Sequence, residues 1–118
     1  MRPQLIALPF WFVITIASAA QQYPTIVGEW YDVQHGNADC GTPWSLHIMP
    51  KAMSGSETYC DFRDVRRDEW MVTWNGVCGS ANDEWPVRVV AIENPTNGEL
   101  AVSYSTGVTN IHKSCEQR

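Results

Sequence analysis

Apolar and polar positions alternate over several short runs of the chain, and the clearest of these folds back on itself. It comprises Tyr59-Cys60-Asp61-Phe62-Arg63-Asp64-Val65 and Trp70-Met71-Val72-Thr73-Trp74-Asn75-Gly76-Val77-Cys78. A one-residue slip of a strand moves every side chain to the other face, so the alternation selects a register. Placing Cys60 opposite Cys78 sets Phe62 against Gly76 and Asp64 against Trp74. One face then carries Cys60, Phe62, Val72, Trp74 and Cys78, and the other carries Asp61, Arg63, Thr73 and Asn75. This is the apolar-in, polar-out division of an antiparallel hairpin. Directly opposed residues have Cα atoms roughly 4.5–5.5 Å apart, within reach of a disulfide. The turn is expected around Arg67-Asp68-Glu69, with Phe62 covering the bare backbone at Gly76. A rival register takes Asn75-Gly76, a strong hairpin signal, as the turn. With a further turn over 66–69 it mixes both faces and puts a third strand between Cys60 and Cys78. The register that segregates the faces is preferred, and Gly76 then marks a bulge or a close approach.

The rest of the chain reads in the same short periods. Residues 26–33 form a first strand, followed by a loop rich in Gly, Asn and Asp that carries Cys40. Trp44, Leu46 and Ile48 alternate with Ser45, His47 and Met49, which places Trp44, Leu46 and Ile48 inward. Residues 50–56 read as a turn-rich connection and 79–84 as a polar loop. Residues 86–93 are apolar on both faces except at Arg88, the pattern of a strand covered on two sides. Asn94-Pro95-Thr96-Asn97-Gly98 is a turn. Leu100, Val102 and Tyr104 alternate with Ala101, Ser103 and Ser105, and 109–115 is a final strand. Six to eight short strands without helical periodicity predict an all-β fold, a small antiparallel β-barrel or sandwich with two disulfides. At this length a barrel is expected to be filled by its own side chains, with no large cavity.

The first residues do not belong to that domain. Arg2 precedes an apolar run over 5–17, which ends in the small residues Ala17, Ser18, Ala19 and Ala20. This is the pattern of a signal peptide over 1–20, leaving 21–118 as a single β-domain that is secreted or periplasmic. The apolar run is shorter than the roughly 20 residues a spanning helix needs, and no cysteine stands near the cleavage site to carry a lipid. With Arg2 removed, seven basic residues face 13 acidic ones, a net charge of −6. An acidic chain whose one basic cluster, Arg66-Arg67, is flanked by Asp64, Asp68 and Glu69 argues against nucleic acid and against an anionic membrane surface.

Four cysteines in a small exported domain imply two disulfides, with three possible pairings. The hairpin register selects Cys60–Cys78, and Cys40–Cys115 follows by elimination. Zinc would call for close pairs such as C-x-x-C, and the sequence has none. The three histidines, His35, His47 and His112, share no ligand spacing. The sequence contains no G-x-S-x-G elbow, no H-E-x-x-H and no phosphate-binding loop. No metal, cofactor or catalytic residue is therefore expected, and the chain reads as a non-enzyme. Of the tryptophans, Trp30, Trp44 and Trp74 are in phase with apolar strand faces. Trp70 and Trp85 flank turns, where a tryptophan can serve a partner protein.

Gly28-Glu29-Trp30, then Cys60-Asp61-Phe62-Arg63 with Trp70 and Cys78, resembles bacterial metalloprotease inhibitors of the serralysin-inhibitor type. These are exported β-barrels with a G-x-W opening and one disulfide across a hairpin. The spacing of Trp, Cys and Gly along the whole chain is more closely similar to small uncharacterised exported β-domain proteins of alphaproteobacteria. The first resemblance implies that the segment before the barrel, Gln21, Gln22, Tyr23, Pro24 and Thr25, enters a protease cleft. The expected function is a binding role in the cell envelope or toward a macromolecule. Inhibition of a protease or lysozyme is the first alternative, and a small hydrolase is the second.

Overall fold

In a computed structural model, residues 23–116 are described. The expected signal peptide at 1–20, and Gln21 and Gln22 of the expected partner-binding segment, lie outside them. Eight strands run β1 (Gly28–Asp32), β2 (Leu46–Met49), β3 (Ala52–Gly55), β4 (Thr58–Asp68), β5 (Met71–Ser80), β6 (Asp83–Glu93), β7 (Leu100–Tyr104) and β8 (Thr109–Ser114). Each pairs antiparallel with the next, and β8 pairs with β1, so the sheet is a closed barrel. Closure leaves no sheet edge, which is how a small all-β domain avoids edge-to-edge association.

The central hairpin has the register that segregates the faces. Cys60 opposes Cys78 and Phe62 opposes Gly76. Beyond that pair a bulge between Phe62 and Asp64 shifts the ladder, so Asp64 faces Asn75, not Trp74. Only glycine fits beside this bulge: a Cβ at residue 76 would lie 2.6 Å from the Phe62 Cα and would also strike the Asp61 carbonyl oxygen. The strands cross at this glycine more closely than any side chain permits, and the extra residue absorbs the bend. The turn falls on Glu69-Trp70, one residue later than expected, since Asp68 pairs with Met71.

Four other expectations are corrected. Residues 50–56 contain the short strand β3, whose Ala52 and Met53 are buried. The polar stretch 79–84 is not a loop, because β5 and β6 continue through it to a tight turn at Ala81-Asn82. β6 is covered on one side only: Val87, Val89 and Ala91 are buried, but Ile92 is half exposed. Trp44 is 58% exposed, because β2 begins only at Leu46. The Trp44 N–H donates to Thr42 Oγ1 and the Ser45 N–H to the Thr42 carbonyl, so a turn interrupts the alternation before the strand starts.

The packed core occupies the half of the barrel that holds the β2–β3, β4–β5 and β6–β7 turns. Trp30 and Trp74 fill it with Ile48, Phe62, Leu100 and Val102. Phe62 stacks on Trp74 with ring centroids 5.5 Å apart. Each buried indole N–H reaches a backbone carbonyl, Trp30 to Ile26 at 2.9 Å and Trp74 to Pro50 at 3.3 Å, as buried polar groups require. Two disulfides complete the fold: Cys60–Cys78 inside the barrel, and Cys40–Cys115 between the β1–β2 loop and the residue after β8. They are consistent with a periplasmic or extracellular location.

Candidate functional site

The opposite end of the barrel is open. There the β1–β2 loop and the β3–β4, β5–β6 and β7–β8 turns surround a cavity of about 700 Å³, in place of the filled interior expected from chain length. Its apolar lining comes from Leu46, Met53, the Cys60–Cys78 disulfide, Trp85 and Tyr104. The Tyr104 hydroxyl donates to Met53 Sδ at 3.6 Å, joining β7 to β3 across the lumen. Burial pushes the Tyr104 phenol above its usual pKa, so it stays a neutral donor. Trp44 and Val108, both exposed, stand at the rim. The volume lies within the range of small-molecule sites, which are mostly apolar with a few placed polar groups.

Beside Gln34, His35, Asp39, Thr58 and Asn110, the polar lining includes the pair Asp32 and His112. They are opposed across the β1–β8 ladder, so both project from one face, and both line the cavity. His112 is 6% exposed, and neither ring nitrogen makes a well-formed hydrogen bond, although the Tyr31 backbone lies close enough to act on the ring. Burial lowers its pKa, against opposing pulls from the Asp32 carboxylate and the Tyr31 backbone. Asp32 Oδ1 accepts the Gln34 N–H at 2.8 Å, and Oδ2 has no partner among the described residues. An imidazole stripped of water without a partner costs stability, and a ligand that satisfies it recovers that cost. No group of three or more His, Cys, Asp or Glu side chains among the described residues could hold a metal.

The residues singled out from sequence fall at both ends of the barrel. Trp85 pairs with Cys78, packs on the core and lines the open-end cavity. Tyr23, Pro24 and Trp70 meet at the closed end. There the Tyr23 and Trp70 rings pack edge to face at 4.9 Å, Arg67 lies 5.7 Å from the centre of the Tyr23 ring, and Arg67 Nη2 donates to the Pro24 carbonyl at 3.1 Å. The chain entering the barrel is thus clamped to the β4–β5 turn. Cys40, Cys60, Cys78 and Cys115 are all in disulfides.

Sequence reasoning missed Asp32, Trp44 and His112 as cavity residues. Trp44 carried a signal, since it follows Gly41-Thr42-Pro43. Asp32 and His112 carried none, because their juxtaposition depends on barrel closure.

A second cluster lies on the outer wall. Ser45 Oγ is 2.6 Å from Glu29 Oε2, 3.0 Å from the Thr42 carbonyl and 3.1 Å from His47 Nε2. Its residue types suggest a hydrolytic relay, but its geometry does not. The hydroxyl has one proton, and given to Glu29 it leaves His47 Nε2 as a donor to Oγ, the reverse of a base. Glu29 lies 3.9 Å from that same nitrogen, and Ser45 is 1% exposed. The Ser45 hydroxyl, the Gly41 N–H and His47 together hold the Glu29 carboxyl below its usual pKa despite desolvation. The cluster fastens the β1–β2 loop to the barrel wall. Farther round that wall, Lys51, Arg63, Arg66 and Arg88 share a shallow groove with Asp64 and Asp68.

Fold and site together define a small closed up-and-down barrel with a cavity at one end. Compared with protein-family models, with curated proteins and with solved structures, the chain matches none of them.

Proposed function

We propose that this is an exported, non-enzymatic binding barrel that holds a small ligand in its open end. The observation that carries this reading is the pairing of a lined cavity with His112, which is buried beside it with neither ring nitrogen in a well-formed hydrogen bond. Export rests on the leader pattern of residues 1–20 and is in keeping with the two disulfides. Apolar side chains point into the lumen and Asp61, Arg66, Thr73 and Arg88 point out, the reverse of a barrel embedded in lipid. A neutral dye, N-phenyl-1-naphthylamine, tests the reading. Its fluorescence should rise saturably with one site per chain. Thr58→Trp, which fills the mouth, should abolish the rise and leave the melting temperature within a few degrees. Equal binding by that variant would place the dye elsewhere and defeat the proposal.

The clamp on Tyr23 and Pro24 favours a second reading, inhibition of a protease by the segment preceding the barrel. Arg67 and Trp70 would fix the direction in which residues 21–25 are presented. Removal of 21–25 should then abolish inhibition of a metalloprotease, and undiminished inhibition by the truncated chain would dismiss this reading.

A further inference from the structure

We propose that the ligand of the open-end cavity is a small amphipathic cation, an amine with an apolar body. This rests on the binding-barrel reading above and adds the charge class of the ligand.

Charge, and the balance of donors against acceptors, select the ligand class. Among the described residues, no lysine or arginine lines the cavity. The ionisable groups that do are Asp32 on β1, His35 and Asp39 on the β1–β2 loop, Tyr104 on β7 and His112 on β8. Lys113, next to His112 in sequence, points to the outer wall, because alternate residues of a strand take opposite faces. His35 Nδ1 lies 3.6 Å from Asp39 Oδ2 at the rim, a contact that is ionic only when the imidazole is protonated. Asp32 is the carboxylate set deeper, on the strand opposite His112. An anion entering here would meet a carboxylate and no cation, whereas an ammonium would meet its complement.

The donor count agrees. An ammonium has three N–H donors and no acceptor. Asp32 Oδ2 has no partner among the described residues, and His112, buried and neutral, has one ring nitrogen able to accept. Because Asp32 and His112 are opposed in the ladder, an ammonium held by the Asp32 carboxylate would lie beside the buried His112 ring, which must turn slightly to accept from it. The body of the ligand would lie along Leu46, Met53, the Cys60–Cys78 disulfide and Trp85. The aromatic faces of Trp85, Tyr104 and Trp44 favour a cation over an anion at the mouth.

Three probes with one body and different heads test this: octylamine, octanol and octanoate, titrated into the full mature chain at pH 7.5 by calorimetry. Octylamine should bind tightest and octanoate weakest. Asp32→Asn should weaken octylamine by about ten-fold, the size expected of a charge-assisted contact, and weaken octanol by much less. The asparagine retains the side-chain oxygen that accepts the Gln34 N–H, and the comparison of probes on the unsubstituted chain needs no variant. Octanoate binding as tightly as octylamine would overturn the cationic class while leaving the binding barrel standing. Failure of all three probes to bind would overturn the cavity reading and this inference with it.

Discussion

Gly76 has no room for a side chain, because the Phe62 Cα would lie 2.6 Å from its Cβ and the Asp61 carbonyl closer still. Gly76→Ala should therefore cost about 3 kcal/mol, the upper end for overpacking a core, read as a lower denaturation midpoint at unchanged slope. Ser45 is buried with its hydroxyl on Glu29, so Ser45→Ala should cost about 1–2 kcal/mol and loosen the β1–β2 loop. His112 sets a pH dependence of the opposite sign to a stabilised histidine. Its folded pKa lies below the ordinary 6.5, so below about that pH the unfolded chain binds a proton that the folded chain resists. Its contribution to stability is unchanged above that range and falls as the pH drops through it. His112→Asn should flatten the slope of stability against pH below about 6.5, measured by denaturant titration, because asparagine does not titrate. An unaltered slope would mean that His112 titrates as it does in the unfolded chain.

At the scale of strands and crosslinks, the two disulfides differ in the loops they close. In the chain-entropy model Cys60–Cys78, with a separation of 18, contributes about 3 kcal/mol, and Cys40–Cys115, with a separation of 75, about 4.5 kcal/mol. Paired serine variants should rank in that order by melting temperature, and the reverse ranking would show that the inner disulfide matters more for packing than for chain entropy. Both pairings were legible in the sequence, because alternation on β4 and β5 favours the register that opposes Cys60 to Cys78 over its rival, and Cys40–Cys115 follows by elimination. The bulge was legible in part: Gly76 announced a close approach, but where the ladder slips depends on how far β4 must bend to close the barrel. β3 was not legible. Its four residues, Ala52-Met53-Ser54-Gly55, include little that favours a strand, and they are held as one by pairing on both sides. Trp44 was misread because strict alternation was extended two residues past the start of β2. The β3–β4 turn carries a remaining strain, since Ser56 and Glu57 both have positive φ. Glu57→Gly should accordingly stabilise the fold by roughly 0.5–1 kcal/mol.

For the whole molecule, the sequence predicted a filled barrel and the structure has a half-filled one. The large side chains Trp30, Trp74 and Phe62 lie toward one end, while small or polar residues, Thr58, Asn110 and Asp32, face inward toward the other. That asymmetry is invisible in strand periodicity, which tells inside from outside but not one end from the other. It gives the molecule a closed end where the entering chain is clamped by Arg67 and Trp70, and an open end lined by Asp32 and His112. The most direct test of this polarity is a two-dimensional amide NMR titration of the labelled mature chain with octanol, whose neutral head leaves the charge question aside. Shifts should be confined to amides around the open end, at Leu46, Met53, Trp85, Tyr104 and His112, with Tyr23, Arg67 and Trp70 unmoved. Shifts centred on Tyr23, Arg67 and Trp70, or none at saturating octanol, would contradict the account.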